Sequence, residues 1–249
     1  MPDGTLGPFY GQEQAGIHHE AFGRLAARAA DALLTELRGS GLMSGTIVDL
    51  GCGSGILAAI VSSAGYEVLG ADISEAMVAL ARVNAPDATI VQTSLYDLEL
   101  PSAVGVLATG EALNYATDRR AGPAAFDALI HRVHAALVSG GIFAFDVSVR
   151  GRAGPSGIRQ QFHDREGWSV GVREVEDGDL LTRDIATFTR EADGRYRRTD
   201  ERHVLHVFDR ERVVATMSEA GFEVTTAIDY GPPQFEPLDG WVVVTGRRG

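Results

Sequence analysis

Residues 47–56 read Ile-Val-Asp-Leu-Gly-Cys-Gly-Ser-Gly-Ile, with three glycines in five positions behind an apolar, β-branched run. The run Thr46–Leu50 predicts a short strand, and Gly55–Ala64 predicts the helix that follows it. Glycine turns a chain sharply out of a strand at little steric cost, so Gly51 marks an elbow. Gly53 and Gly55 then let backbone amides approach a ligand at the start of the helix, where N–H groups and the dipole are available. Such a loop serves either a dinucleotide or a ligand without phosphates.

Two residues separate those cases. The dinucleotide pattern needs glycine at position 56, and this chain has Ile56. Asp72 closes the next apolar run, Tyr66–Ala71, 21 residues after Gly51. An acid there accepts hydrogen bonds from a ribose diol and repels a 2′-phosphate. The pair points to an adenosine with a free ribose and no diphosphate.

Outward from the elbow, strand and helix patterns alternate. An apolar stripe of Phe22, Ala26, Ala29, Leu33 and Leu37 predicts a helix over 18–38, and Ser74 caps another that ends before Pro86. Ala88–Gln92 and Val104–Ala108 read as strands. A helix follows Pro123, closed by Gly140-Gly141, and Ile142–Val147 is a fifth strand. This order predicts an α/β fold: a Rossmann-like, doubly wound parallel sheet with helices on both faces. After Val147 the texture changes. Arg150–Arg159 reads as a loop, and Trp168–Glu176, Leu180–Arg190 and Tyr196–Phe208 alternate, separated by Asp177-Gly178 and Asp193-Gly194. Asp-Gly is a strong hairpin signal, so a three-stranded antiparallel sheet is expected here, inserted after strand 5. A helix over Arg210–Ala220 and strands Phe222–Tyr230 and Trp241–Thr245 complete the chain. The expected organisation is an N-terminal helical lid (1–45), an α/β domain (46–147 and 209–249) and the inserted sheet (148–208).

Bulk properties narrow the partners. The formal charge is -12, and Arg is the only strong base because the chain has no Lys. Thirteen Arg fall between Arg150 and Arg212, but thirteen acids share that window, so no basic surface is segregated and a nucleic-acid partner is not expected. The single cysteine, Cys52, excludes an internal disulfide and a Cys-rich zinc site. No apolar run approaches the ~18 residues of a membrane span, and the first residues lack a secretion-signal pattern. A cytoplasmic protein without a membrane partner is expected.

The segments Val48–Gly55 and Gly70-Ala-Asp-Ile-Ser-Glu-Ala-Met77 resemble motif I and the acidic second-strand motif of class I S-adenosylmethionine-dependent methyltransferases. The resemblance runs from about Thr46 to the end of the chain. It implies a seven-stranded sheet with a final antiparallel strand, S-adenosyl-L-methionine as donor, and an inserted sheet covering a small-molecule acceptor. It also implies donor contacts by Asp49, Gly51, Cys52 and Gly53 of the elbow. Asp72 would bind the ribose, with Ile73 and Met77 against the adenine. Where the family places an Asp after the third strand, this chain has Ser94, followed by Leu95, so either that pair or Asp97 meets the adenine edge. Gly110 and Glu111, after strand 4, complete the donor set.

Methyl transfer from a sulfonium needs alignment above all, and a base only where the acceptor arrives protonated. Glu111, at the carboxyl edge of the sheet, is the leading candidate to hold an amine, take its proton or grip the donor's ammonium. Asn114, Tyr115, Tyr10 and His206 are candidate acceptor contacts, and His18 or His19, in the lid, can assist proton transfer. His203 and His206 fall on opposite faces of a strand and do not share a metal, and no metal-ligand pattern is present. Thr109-Gly-Glu-Ala112 also departs from the Asn/Asp-Pro-Pro-Tyr motif of base and amide N-methyltransferases. The leading reading is a methyltransferase acting on N or O of a small molecule. A non-catalytic S-adenosylmethionine-binding protein and an NAD-dependent oxidoreductase are the alternatives, and the inserted sheet can pair across a homodimer.

Overall fold

The computed structural model describes residues 10–231 and 239–249, apart from the side chains of residues 12, 13 and 20–22. The first nine residues of the expected lid and the Phe22 side chain lie outside the described set. Helix α1 (Gln12–Gly39) precedes β1 (Thr46–Leu50), α2 (Ile56–Ser63), β2 (Glu67–Asp72), α3 (Glu75–Asn84) and β3 (Thr89–Gln92). Then follow β4 (Ala103–Ala108), α4 (Pro123–Ala136) and β5 (Leu137–Ser148). The inserted segment carries β6 (Ile158–Arg165), β7 (Trp168–Asp177), β8 (Leu180–Arg190) and β9 (Tyr196–His206). The chain closes with α5 (Arg210–Glu219), β10 (Phe222–Ala227) and β11 (Trp241–Arg248).

Seven strands form one sheet in the order β10-β11-β5-β4-β1-β2-β3. β11 runs antiparallel to both β5 and β10, and the pairs on the β5 side are parallel. Alternation along β1 fills both faces. Val48 and Leu50 join Phe126, Leu129 and Met217 beneath α4 and α5, and Ile47 joins Leu33, Leu37 and Leu57 beneath α1 and α2. Strand order reverses between β1 and β4, which opens a crevice at their carboxyl ends. The elbow and the loop after β4 both empty into it.

Three boundaries differ from the sequence reading. The inserted sheet has four strands, β6-β7-β8-β9, because Ile158–Arg165, two residues of the stretch read as a loop and six that were given no element, pairs with β7 along its whole length. β6 is a polar edge strand, with Ile158 and Phe162 exposed, so it lacks the apolar alternation by which strands are recognised. Gly140-Gly141 does not cap α4, which ends at Ala136; the glycines lie inside β5, where the register to β4 shifts. α1 begins six residues earlier than expected. Its first turns are polar in sequence but find partners on the inserted sheet, where Ile17 packs with Trp168, Val170 and Ile185.

Candidate donor and acceptor site

The elbow is built as the glycines demand, though for different reasons at each. Gly51 has φ +73°, and a Cβ there would lie 2.7 Å from Ala112 Cβ, so the loop after β4 packs directly on it. Gly55 has φ +81°, and a Cβ would stand 2.8 Å from Ala81 Cα of α3; this glycine serves helix packing. Four of the loop's amides are bonded inside the chain. Gly51 and Cys52 N–H both donate to the Ala71 carbonyl, at 2.8 and 2.9 Å, Gly55 N–H donates to Cys52 O, and Gly53 N–H to Asp72 Oδ2 at 2.9 Å. The glycines therefore shape the turn with their own amides closed, and α2 starts behind them without a side-chain cap. Cys52 is buried in the core, and its thiol is pushed up first by burial and then by Asp49, so it is no nucleophile.

Two carboxylates stand at the elbow: Asp72 lines the pocket, and Asp49, buried in β1, does not. Asp72 is held by the amides of Gly53 and Ser74, the latter at 2.8 Å, and Ser74 in turn caps α3 by accepting from Met77 N–H. Burial raises its pKa, and those amide bonds oppose the rise. Asp49 is 1 % exposed, and neither of its oxygens accepts a hydrogen bond from a described group. Burial, then the charge of Asp72, pushes its carboxyl up to about 7. Among the described residues neither carboxylate forms an ion pair. A buried and a half-buried acid without a counter-charge are costly, and a bound cation relieves that cost.

The walls rise from four loops. Ile73 and Met77 supply an apolar side, and Ser94 and Leu95 another. Ser94 Oγ donates to Asp118 Oδ2, and Asp118 lines the same pocket. The sequence reading passed over Asp118, which arrives from Thr117-Asp118-Arg119-Arg120 after β4. Asp97 is outside the pocket, half exposed and paired with Arg120 at 2.6 Å. Gly110 also lines the pocket, with φ +74° and open space where a Cβ would be. Its position is set by Asp146 of β5, another residue not singled out in the sequence. Asp146 accepts from Gly110 N–H (2.9 Å), Glu111 N–H (2.6 Å), Tyr230 OH (2.9 Å) and Trp241 Nε1–H (3.3 Å). An acid within the otherwise apolar strand Phe143-Ala-Phe-Asp-Val147 is the signal that was available.

Glu111 is placed where the sequence put it but is occupied otherwise. Its side chain accepts from Ser148 Oγ, Arg152 Nε at 3.0 Å and Arg183 Nη2 at 2.8 Å, and Arg183 also binds Glu174 at 2.8–2.9 Å. Burial alone would raise its carboxyl; the Arg183 and then Arg152 guanidiniums outweigh burial and hold it well below the usual carboxylate range. A carboxylate so held is a poor proton acceptor. Glu111 is a clasp between the α/β sheet and the inserted sheet, which corrects the base reading. Asn114 is likewise structural. Its amide N–H groups donate to the carbonyls of Ser148 and His206, and its Oδ1 accepts from Ser148 N–H, so no group is left for an acceptor.

The remaining wall combines α1 with the inserted sheet. Tyr10 OH meets Tyr115 OH at 2.9 Å, and the Tyr10 ring packs 5.1 Å from that of His18 and 4.8 Å from that of His203. Tyr10, His18 and Tyr115 line the pocket. His206 does not; its neighbour across the strand, His203, is the fully buried one that joins the rings. Burial, then His203 and Arg183, lowers His18 to about 4, so its imidazole is neutral at physiological pH. His19 turns to the elbow, with Nδ1 2.8 Å from Ser54 Oγ.

Comparison with known proteins agrees with this geometry. A family profile described as a methyltransferase domain matches residues 47–141. A Synechocystis protein named as a methyltransferase is 34% identical over 99 residues, covering 39% of this chain and 44% of that one, so the match spans less than half of that relative. A Geobacillus protein named likewise is 27% identical over 188 residues, 72% and 74% of the two chains. Among solved structures, an S-adenosylmethionine-dependent methyltransferase from Clostridium acetobutylicum superposes with a TM-score of 0.79 at 16% identity, over 95% of this chain and 98% of that one. A sugar N-methyltransferase from Streptoalloteichus gives 0.72 at 22%, over 100% and 96%. Residues 47–141 thus match a methyltransferase-domain profile, and the chain as a whole has the fold of these solved S-adenosylmethionine-dependent methyltransferases.

Proposed function

We propose that this chain moves the methyl group of S-adenosylmethionine to a nitrogen or oxygen of a small-molecule acceptor enclosed beneath the inserted sheet. The observation that carries the donor half is the pair of carboxylates without a counter-charge, Asp49 buried and Asp72 half-buried, beside a glycine elbow at the start of a helix. When bound, the donor supplies an electrophilic methyl on a sulfonium. In this reading Asp72 accepts from the ribose hydroxyls, Ile73 and Met77 flank the adenine, and Ser94 with Asp118 faces its edge. Asp49 and the backbone around Gly51 and Gly110 receive the amino-acid end.

The acceptor half rests on Tyr10, His18 and Tyr115. A neutral imidazole accepts a hydrogen bond from an acceptor N–H or O–H and so aims the nucleophile's lone pair at the methyl, while a pKa of about 4 leaves it a weak base. Glu111 is excluded from that role by its two arginines. The structural relatives include an amino pentose methyltransferase from Micromonospora, which fits a small polar acceptor. The test is labelled methyl transfer to fractionated metabolites, with His18→Ala alongside. That variant is expected to lower kcat about 100-fold while leaving donor affinity within about threefold. Because His18 works in its neutral form with a pKa of about 4, kcat should be flat from pH 5.5 to 8. An unchanged kcat in the variant removes His18 from the chemistry, and no transfer from any fraction favours a binding protein without catalysis.

Asp49 makes donor affinity depend on pH. In the free chain a carboxyl raised to about 7 stabilises the fold in its protonated form, and that contribution is lost as pH rises through 7. A cationic ligand beside it requires the ionised form. The Kd of S-adenosylhomocysteine should therefore fall about tenfold between pH 6 and pH 8, and Asp49→Asn should flatten the dependence. Titration calorimetry across that range gives the answer; an equal slope in the variant places the titrating group elsewhere.

A further inference from the structure

Tyr10 bridges the two halves of the site, and the bonds that hold it come from opposite sides. Its carbonyl accepts from Ser74 Oγ, beside Asp72, at 3.0 Å. Its N–H donates to Glu201 Oε2 at 3.2 Å, and the next N–H, of Gly11, donates to Glu201 Oε1 at 3.1 Å. Glu201 belongs to β9, some 190 residues away, and is 8 % exposed. Gly11 is the N-cap of α1 and offers no side-chain cap of its own. The carboxylate thus satisfies amides that the helix start leaves open, and its charge complements the dipole of a 28-residue helix. Tyr10 itself has φ +45°, a left-handed conformation that a non-glycine residue keeps only when its surroundings enforce it.

We infer that Glu201 is a positioning residue for methyl transfer: by clamping the start of α1 it sets the wall that Tyr10 and His18 form across the donor and acceptor spaces. Three neighbouring contacts agree. His203 Nε2 meets Glu201 Oε2 at 3.0 Å and its ring packs against Tyr10 at a 48° tilt, so clamp and wall are one packed unit. Thr187 Oγ1 donates to Gln14 Oε1 at 2.8 Å, one turn along the helix. Ile17 then packs into the inserted sheet beside Trp168, which places His18 next to the pocket. The far end of α1 lies in the core of the α/β sheet, so only its first turns depend on the clamp. Tyr10 lines the pocket and is bonded to both sides of it. In this inference, release of the first turn of α1 frees a donor or product held against it.

The inference rests on the donor-site reading above, and the experiment separates the two. Glu201→Gln keeps the shape but turns an amide NH₂ toward an N–H or toward His203. The dissociation rate of S-adenosylhomocysteine, read by stopped-flow displacement, is expected to rise about tenfold in this variant. Deuterium uptake should increase over residues 10–18 and stay unchanged in β1 and β4. Thr187→Val, an isosteric change that deletes the adjoining tie, is the second arm and is expected to raise the same rate about threefold. A wild-type chain that fails to retain S-adenosylhomocysteine overturns the donor-site reading and this inference with it. A wild-type chain that retains it, while both variants release it at the wild-type rate with unchanged exchange, overturns the inference alone.

Discussion

Replacing Glu111 by alanine is expected to cost about 3–5 kcal/mol of stability, because breaking a buried pair leaves its partners charged and unmatched. The partners here are Arg152 and Arg183, 7 % and 12 % exposed in their side chains, with Ser148 as a further donor. For a chain of this size the loss corresponds to a fall in Tm on the order of 10 °C. Backbone strain refines the test. Glu111 has φ +61°, which alanine also tolerates poorly and glycine does not resist. Glu111→Gly should therefore recover roughly 1 kcal/mol relative to Glu111→Ala. Urea unfolding of the two variants measures both quantities. If Glu111→Ala unfolds like the parent chain while turnover collapses, the clasp assignment is wrong and a direct chemical role returns.

Removing the Asp72 carboxylate should be the severest change to donor affinity. Hydrogen bonds to a charged acceptor contribute about 1.5–3 kcal/mol each, so losing a ribose contact weakens S-adenosylhomocysteine binding by about 100-fold. The same substitution unlatches Gly53 and Ser74, whose amides Asp72 holds at 2.9 and 2.8 Å, and so disturbs the elbow as well. Asp72→Asn keeps one acceptor and the shape, and about a tenfold loss is expected. Stability should move little in either variant, since burial of the carboxylate is itself unfavourable and offsets the lost bonds. Equilibrium binding paired with thermal unfolding distinguishes the cases. Tight binding by Asp72→Ala removes the ribose assignment.

Much of the pocket around the elbow was legible because its constraints are local. A glycine that must adopt positive φ, and an acid at the end of the next strand, are properties of short stretches, so Gly51, Gly53 and Asp72 could be placed before any contact was known. The parallel sheet was legible for the same reason: each strand is a buried run bounded by glycine or a helix cap. What failed was everything that depends on who arrives from far away. Glu111 looked like a free acid because Arg152 and Arg183 lie 41 and 72 residues downstream. Asn114 looked available for a ligand, yet its amide is used up by Ser148 and His206. Asp118, Asp146 and Glu201 carry no motif, and their contacts are made with residues 24, 36 and 190 positions away. β6 gave no signal because the more covered face of this edge strand is Arg159, Gln161 and His163, so it has no apolar side to read.

The bonded amides of Gly51, Cys52, Gly53 and Gly55 bear on how the proposed donor would be met. A turn fixed within the chain is preorganised, whereas Asp49 keeps two oxygens without a described partner. On that reading, ordering on association is confined to the turn above, and capture and escape follow how often that cover lifts.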